Sequence, residues 1–401
     1  MNILYIAPVA DYESKDGGYG NGSASILFVM NKMLKDKKID KLTVLNTNKP
    51  FSFDSKKDIY DVAIVVSNPQ TFKNKQTTDT ISALLTNCKK KYLVVLWETM
   101  PLPKEWNFLW KEDMFDGFLA PSYFVGVQLS KVTDKNVYYQ PYYVHVDENN
   151  KIDLNKKIKE DKFTVLFMGQ NTKRKGVEEA IISFSRAFDQ SKDAQLIMKY
   201  HNLSSFESPF EETVKELSLL NQCCKNARIY TLDSQLTPSE ITELYRSSSL
   251  LFFPTRGEGF GLTAVESMSV GLPVAYTNWS SCPEVAESEA NTGIDYNLDE
   301  AVSMYHYGYE VGLKYALPSI TDSIKVLKEY YNMWKKDKIN YYTKSSSNIK
   351  IIKDRFSYEV VSDCLLHAFN NKEGFAPDKI FNIEHWNRNL KQYTKIEKGE
   401  L

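Results

Sequence analysis

Several features are scarce in this sequence of 401 residues, and each scarcity removes a class of function. No stretch approaches the ~18–20 apolar residues that a membrane span requires. The opening Met1-Asn2-Ile3-Leu4-Tyr5-Ile6-Ala7-Pro8 is too short and too soon broken to read as a signal peptide. Neither sign of charge is in excess: 50 Lys and Arg face 51 Asp and Glu, for a net charge of −1. A global pull toward nucleic acid or anionic lipid is therefore absent, which does not exclude a local basic patch. Five cysteines (Cys88, Cys223, Cys224, Cys282, Cys364) are odd in number and lack zinc spacing. Even the vicinal Cys223-Cys224 pair reads as buried thiols. Five histidines (His145, His201, His306, His367, His385) lie scattered with none paired at ligand spacing, and no Asp-x-Asp triplet occurs. Neither a bound divalent metal nor a cofactor is expected. The expectation is a soluble cytoplasmic protein.

What is present is the composition of a well-filled globular protein, 42% hydrophobic with 25 Tyr and 21 Phe. The length exceeds the roughly 250–300 residues that one core usually serves, so two domains are expected. Short apolar runs alternate with amphipathic, helix-length stretches, the pattern of parallel α/β sheets. In the first half the expected strands are Asn2–Ala7, Lys41–Asn46, Asp61–Ser67, Tyr92–Trp97, Gly117–Ala120 and Val137–Gln140, with helices at Ser23–Leu34 and Thr78–Thr86. The lysine-rich stretch Lys151–Lys162 reads as a linker. A second set follows it: strands Phe163–Met168, Gln195–Tyr200, Arg228–Leu232, Leu250–Phe253 and Pro273–Tyr276, with helices at Val177–Phe188, Pro209–Leu220, Pro238–Ser247 and Leu262–Val270. Two doubly wound, Rossmann-like domains are predicted, over residues 1–150 and 163–340, facing a central cleft in which ligands meet strand C-terminal ends. Residues 341–401 read as C-terminal helices and a tail packing back toward the first domain, the last thirty residues being polar with isolated aromatics at Phe375, Phe381 and Trp386.

The segment richest in chemistry runs from Leu250 to Glu266: a buried strand ending at Pro254, the turn Thr255-Arg256-Gly257-Glu258-Gly259-Phe260-Gly261, and a helix from Leu262. Its glycines let backbone approach a ligand closely and adopt conformations closed to other residues. Amides at the helix start form a ready anion site. Glu258 and Glu266 fall before and within the helix, and carboxylates suit paired hydroxyls of a sugar or ribose. Lys173-Arg174-Lys175 follows the strand Phe163–Met168 and reads on its own as a solvated basic turn. The first half holds a comparable loop, Gly17-Gly18-Tyr19-Gly20-Asn21, without the G-x-G-x-x-G spacing of dinucleotide enzymes.

Glu258-Gly259-Phe260-Gly261-Leu262-x-x-x-Glu266, with Met268 and Gly271-Leu272-Pro273-Val274 after it, closely resembles the E-x7-E signature of retaining GT-B glycosyltransferases, the glycosyltransferase family 4-like or "group 1" superfamily. Arg174-Lys175-Gly176 resembles the family's RKG element. Trp97-Glu98-Thr99 with Leu102-Pro103 and Trp106, and Ala120-Pro121-Ser122 with Phe124, are similar to runs of one of its branches. The resemblance covers about residues 1–370 and implies a GT-B fold with a helical C-terminal extension. The implied activity is a hexosyltransferase that uses a nucleotide diphosphate sugar, UDP- or GDP-linked, as co-substrate.

The resemblance also implies roles. Glu266 would bond the ribose and Glu258 the hydroxyls of the transferred sugar. Phe260, Gly261 and Leu262 would offer amides to sugar and phosphate beside Gly259, with Gly17 and Gly18 in the first Gly-rich loop of the donor site. Lys175, helped by Arg174, would neutralise the diphosphate as the bond breaks, so that fixed charge stabilises the leaving group. Two positions depart from the family: Gln170 stands where an Arg is usual, so that either Arg174 or Lys173 supplies that charge or the leaving group is less strongly neutralised, and Glu98 closes the fourth strand where many relatives carry His. Glu98 either bonds sugar or acceptor, or caps the segment after it. A front-face mechanism, with the leaving phosphate taking the acceptor proton, is the family's usual description. The acceptor is left open between saccharide, lipid-linked saccharide, protein and modified DNA base, as is a silent scaffold that binds a partner or glycan. Oligomeric state is likewise open. Peripheral contact with the inner face of a membrane would need a basic-aromatic face, for which Trp106, Phe108 and Trp110 beside Lys104 and Lys111 are the modest candidates; core packing explains them more simply.

Overall fold

The structure is a computed structural model that describes residues 1–9, 18–49, 58–147, 152–201, 227–301 and 312–400. Gly17, the expected helix Pro209–Leu220, the Cys223-Cys224 pair and His306 lie outside the described residues. The chain forms two compact units, one of Met1–Val144 with Arg355–Leu401 and one of His145–Asp354.

The first unit is built on β1 (Asn2–Ala7), β2 (Lys41–Asn46), β3 (Tyr60–Val66), β4 (Cys88–Val94), β5 (Gly117–Ala120) and β6 (Asn136–Tyr139). They pair in the order β2-β1-β3-β4-β5-β6, and every pairing is parallel. Ile3 to Ala7, Val62 to Val66 and Gly117 to Ala120 are buried without interruption. Such unbroken apolar strands are what a parallel sheet covered on both faces demands. β4 ends at Val94 rather than Trp97 and starts earlier, at Cys88. Its lysines are accommodated because their ammonium groups leave the sheet: Lys89 pairs with Asp61 at 2.8 Å and Lys90 donates to the Phe369 carbonyl at 3.1 Å. Trp106 and Trp110 are buried, with ring centroids 6.4 Å apart, Trp106 lying 4.5 Å from Trp97. They are core, not a membrane face.

From Arg355 onward the chain rejoins this first sheet. Helix Tyr358–Phe369 packs on helix Gly18–Lys35, tied by Tyr358 to Asp36 at 2.6 Å and Lys38 to Ser362 at 3.1 Å. The polar last stretch forms helix Ile383–Glu397, capped by the Asn382 side chain and packed on helix Tyr123–Val132. The isolated aromatics explain why it docks: Phe375 lies 5.2 Å from Tyr123 and 4.9 Å from Trp386, ring centre to ring centre. A large apolar side chain removed from water contributes about 1.5–3 kcal/mol, enough to hold an otherwise polar helix.

The second unit repeats the design with β7 (Phe163–Gln170), β8 (Ala194–His201), β9 (Ile229–Leu232), β10 (Leu250–Phe253), β11 (Val274–Thr277) and β12 (Thr292–Ile294). The order is β12-β11-β10-β7-β8-β9, again parallel throughout. A separate antiparallel pair, β13 (Tyr296–Glu300) and β14 (Lys314–Pro318), was not expected from the pattern. Helices Val177–Phe188 and Ile320–Lys336 pack together over Phe163, Val165 and Phe167. Helix Pro238–Ser247 opens with the capping box visible in the sequence, Thr237 and Glu240 exchanging bonds before proline at the first turn. In the lysine-rich stretch before β7, Lys157 is buried and donates to the Ser248 carbonyl at 2.7 Å and to Glu160 at 3.0 Å. Burial pulls its ammonium down to about 8. No helix among the described residues is long and apolar enough to cross a membrane.

Candidate active site

In the second unit β7 and β10 are neighbours in the sheet, so the turns that leave their C-terminal ends lie side by side. Parallel strands place ligand sites at such edges. The turn after β7 is one short 3-10 turn, Lys173–Lys175, ended by Gly176 at φ 76°. A Cβ built on Gly176 would lie 1.9 Å from the Pro254 carbonyl oxygen, so only glycine permits this approach. Backbone then joins the two turns: the Arg256 amide donates to the Arg174 carbonyl at 2.7 Å. The Arg174 guanidinium in turn donates to the Gly257 carbonyl at 2.9 Å.

The carboxylate of Glu258 sits inside this junction and is buried. Its Oε1 receives Lys175 Nζ at 2.6 Å, the Thr255 hydroxyl at 3.0 Å, and has Arg174 at 3.4 Å. Burial pushes its carboxyl up, but the charges of Lys175 and Arg174, with the hydrogen bonds from Lys175 and Thr255, reverse this and leave it below the usual glutamate range. Glu258 is thus an ionised group in a dry place.

Helix Leu262–Ser269 starts at Gly261, whose φ is 96°. Of the three turn glycines only Gly261 takes a left-handed conformation, so the strain-relieving role expected of Gly257 and Gly259 does not apply to them. Phe260, within the turn, is buried. The amides of Leu262 and Thr263 open the helix and have no carbonyl a turn earlier within it. Glu266, one turn in, is half-buried and accepts from the Tyr245 hydroxyl at 3.1 Å. Burial pushes its carboxyl up to about 7 against the pull of that bond.

Lys175, Arg174, Glu258, Gly259, Phe260, Gly261, Leu262 and Glu266 therefore come from three neighbouring stretches of one sheet edge, as their sequence order suggested. Several partners were missed. Ser280, at φ 58°, accepts from the Glu258 amide at 2.9 Å, and the Ser281 hydroxyl donates to the Glu258 carbonyl at 2.8 Å. Arg256, read only as part of the turn, is buried and bridges Glu178 and Glu179, each at 2.8 Å. None of these contacts left a signal in the sequence, because each joins residues at least twenty positions apart.

The first unit holds the remaining candidates. Gly18 begins helix Gly18–Lys35. The glycine that close approach demands is Gly22, where a Cβ would meet the Tyr142 ring at 2.6 Å. Glu98 is half-buried beyond the end of β4. It lies close enough to Tyr142 for its charge, after burial itself, to raise that phenol.

Two Rossmann-like units, each on a six-stranded parallel sheet, with a helical C-terminal segment, define the GT-B class of fold. Anabaena HepE, solved with UDP-glucose, shares that fold at a TM-score of 0.57, 15% identity, 92% coverage of this chain and 100% of its own. Residues 148–298 match the family described as glycosyl transferases group 1. That match, with the GT-B neighbours, supports a group 1 glycosyltransferase, an enzyme of the transferase class. The chain is 26% identical over 299 residues, 72% of this chain and 74% of the other, to an uncharacterized 41.2 kDa protein in the cps region of Klebsiella pneumoniae. A 26% match over 132 residues joins it to the capsular polysaccharide biosynthesis glycosyltransferase CapM of Staphylococcus aureus. That match covers 33% of this chain and 32% of CapM. Apart from the Klebsiella protein, these curated relatives are matched over a third or less of their length.

Proposed function

We propose that the chain moves a hexose from a nucleoside diphosphate sugar, a UDP-sugar first, to a hydroxyl of a saccharide acceptor, with retention at the anomeric carbon. The observation that carries this reading is the buried carboxylate of Glu258, gripped by Lys175 at 2.6 Å, at the carboxyl edge of a parallel sheet and one helix start away from Glu266. In the absence of donor the acid and the ammonium satisfy each other. A sugar diphosphate gives each a separate partner: sugar hydroxyls donate to Glu258, and Lys175 with Arg174 faces the phosphates. The amides opening helix Leu262–Ser269 add a fixed positive pole. As the anomeric C–O bond to the diphosphate breaks, the acceptor oxygen bonds to that carbon on the same face, and its proton passes to the departing phosphate oxygen. Cations already fixed in place stabilise the developing charge without reorganising.

The UDP preference rests on likeness to HepE, and the saccharide acceptor on likeness to CapM and to the cps-region protein. Release of nucleoside diphosphate from UDP-glucose, UDP-galactose, UDP-N-acetylglucosamine and GDP-mannose tests the reading. One donor should be turned over, and Lys175→Ala should slow it by ~10²-fold or more. Wild-type rates in both Lys175→Ala and Glu258→Gln would remove the site assignment.

A further inference from the structure

Glu266 does not stand alone. Tyr245, in helix Pro238–Ser247, is buried, and its hydroxyl lies 3.1 Å from Glu266 Oε2 and 3.3 Å from Met168 Sδ on β7. A phenol has a single proton to give, and between a carboxylate oxygen and a thioether the carboxylate is the far stronger acceptor. No other side chain among the described residues bonds the Glu266 carboxyl. Oε2 thereby gives one lone pair to the protein, and Oε1 keeps both of its own for a ligand.

We propose that Tyr245 is a positioning residue for nucleotide recognition, fixing the rotamer of Glu266 and presenting Oε1 to a vicinal diol. The inference rests on the reading of Glu266 as the ribose contact. It adds a dependence on acidity that the contact alone would not have. A diol donates more strongly to a carboxylate than to a carboxylic acid, because the charge assists the bond, and Glu266 changes between the two near pH 7. Among the described residues the titratable group that faces it is the Tyr245 phenol, itself held protonated far above neutrality by burial and by the charge of Glu266. Its hydrogen bond favours the charged form, so its removal moves the titration of Glu266 upward.

Two measurements on the full chain test this. Carboxyl 13C NMR of the ligand-free protein, with Glu266→Gln to assign the signal, reads the coupling without any donor. Tyr245→Phe should raise the Glu266 midpoint by about one pH unit, the worth of one hydrogen bond to a charged group. Calorimetric titration of UDP-glucose, and of GDP-mannose in parallel, reads the consequence. A midpoint moved from about 7 to about 8 reduces the carboxylate fraction at pH 7 from about one half to about one eleventh. Affinity in Tyr245→Phe should then fall about fivefold at pH 7 and recover at pH 9. An unmoved midpoint, or an equal loss at both pH values, would overturn the proposal. Undiminished donor binding by Glu266→Gln would instead overturn the ribose reading, and absence of binding to the wild-type chain would remove both.

Discussion

Replacing Lys175 by alanine perturbs stability as well as catalysis, and the structure sets the size of the first effect. The Lys175–Glu258 pair is 13% and 9% exposed by side chain, with a separation of 2.6 Å. Water therefore screens it little, and the small values measured for surface pairs do not apply. Removing one partner of a buried pair costs 3–5 kcal/mol where the other charge is left alone, and Arg174 remains, so about 3 kcal/mol is expected. In a unit of some two hundred residues that lowers the melting temperature by about 6–12 °C. The sign with pH follows from Glu258, whose carboxyl is held below the ordinary range. Its contribution is present above the unfolded glutamate range and is lost as pH falls through the folded value. The deficit of Lys175→Ala should accordingly shrink in acid. Removing both charges, as in Lys175→Ala with Glu258→Gln, should restore most of the stability while leaving transfer abolished. The assay is a double-mutant cycle of thermal or urea unfolding at pH 7.5 and pH 4. The reasoning fails if Lys175→Ala melts with the wild type, or if the double variant is as unstable as the two single losses added together.

Gly176→Ala should cost more than any exposed substitution, because its Cβ meets the Pro254 carbonyl at 1.9 Å and its φ is 76°; loss of soluble protein, or a melting point at least about 6 °C lower, is the expected result. Arg256→Ala strands the buried Glu179 and should destabilise by about 3 kcal/mol in urea unfolding, whereas a variant that also carries Glu179→Gln should recover part of it. Glu266 is an acid with a raised midpoint, so the folded chain holds its proton more tightly than the unfolded one. The stability this adds is full below the ordinary glutamate range and is lost as pH rises through about 7. Glu266→Gln should therefore melt above the wild type at pH 8 and not at pH 5.

Much of this was legible in the sequence for a local reason. Strands such as Asn2–Ala7 and Leu250–Phe253 are continuous apolar runs, and helix Pro238–Ser247 is announced by Thr237, Pro238 and Glu240 in succession. Glu258 and Glu266 stand in one short segment, so their spacing could be read directly. Interactions between distant residues could not. The Lys175–Glu258 bond closes 83 residues and the Arg256–Glu179 bond 77, and nothing in either neighbourhood names its partner. β4 was misplaced because three lysines mimic a loop when their anchors, Asp61, Asp113 and Phe369, are not in view. The tight packing of Gly22 went unread because its constraint is the Tyr142 ring, far along the chain.

The return of Arg355–Leu401 to the sheet of the opening residues has a consequence for biosynthesis. Tyr92 bonds the carbonyl of Ala368, 276 positions later, and Tyr123 bonds Ile380 and Asn382. A ribosome delivers His145–Asp354 as one uninterrupted piece, yet the lobe begun first can be finished only after Arg355–Leu401 has emerged. Until then the Gly126 face of helix Tyr123–Val132, which Phe375 will cover, stays open. Clipping the final helix would therefore injure the lobe made earliest, and the one made in between would survive it.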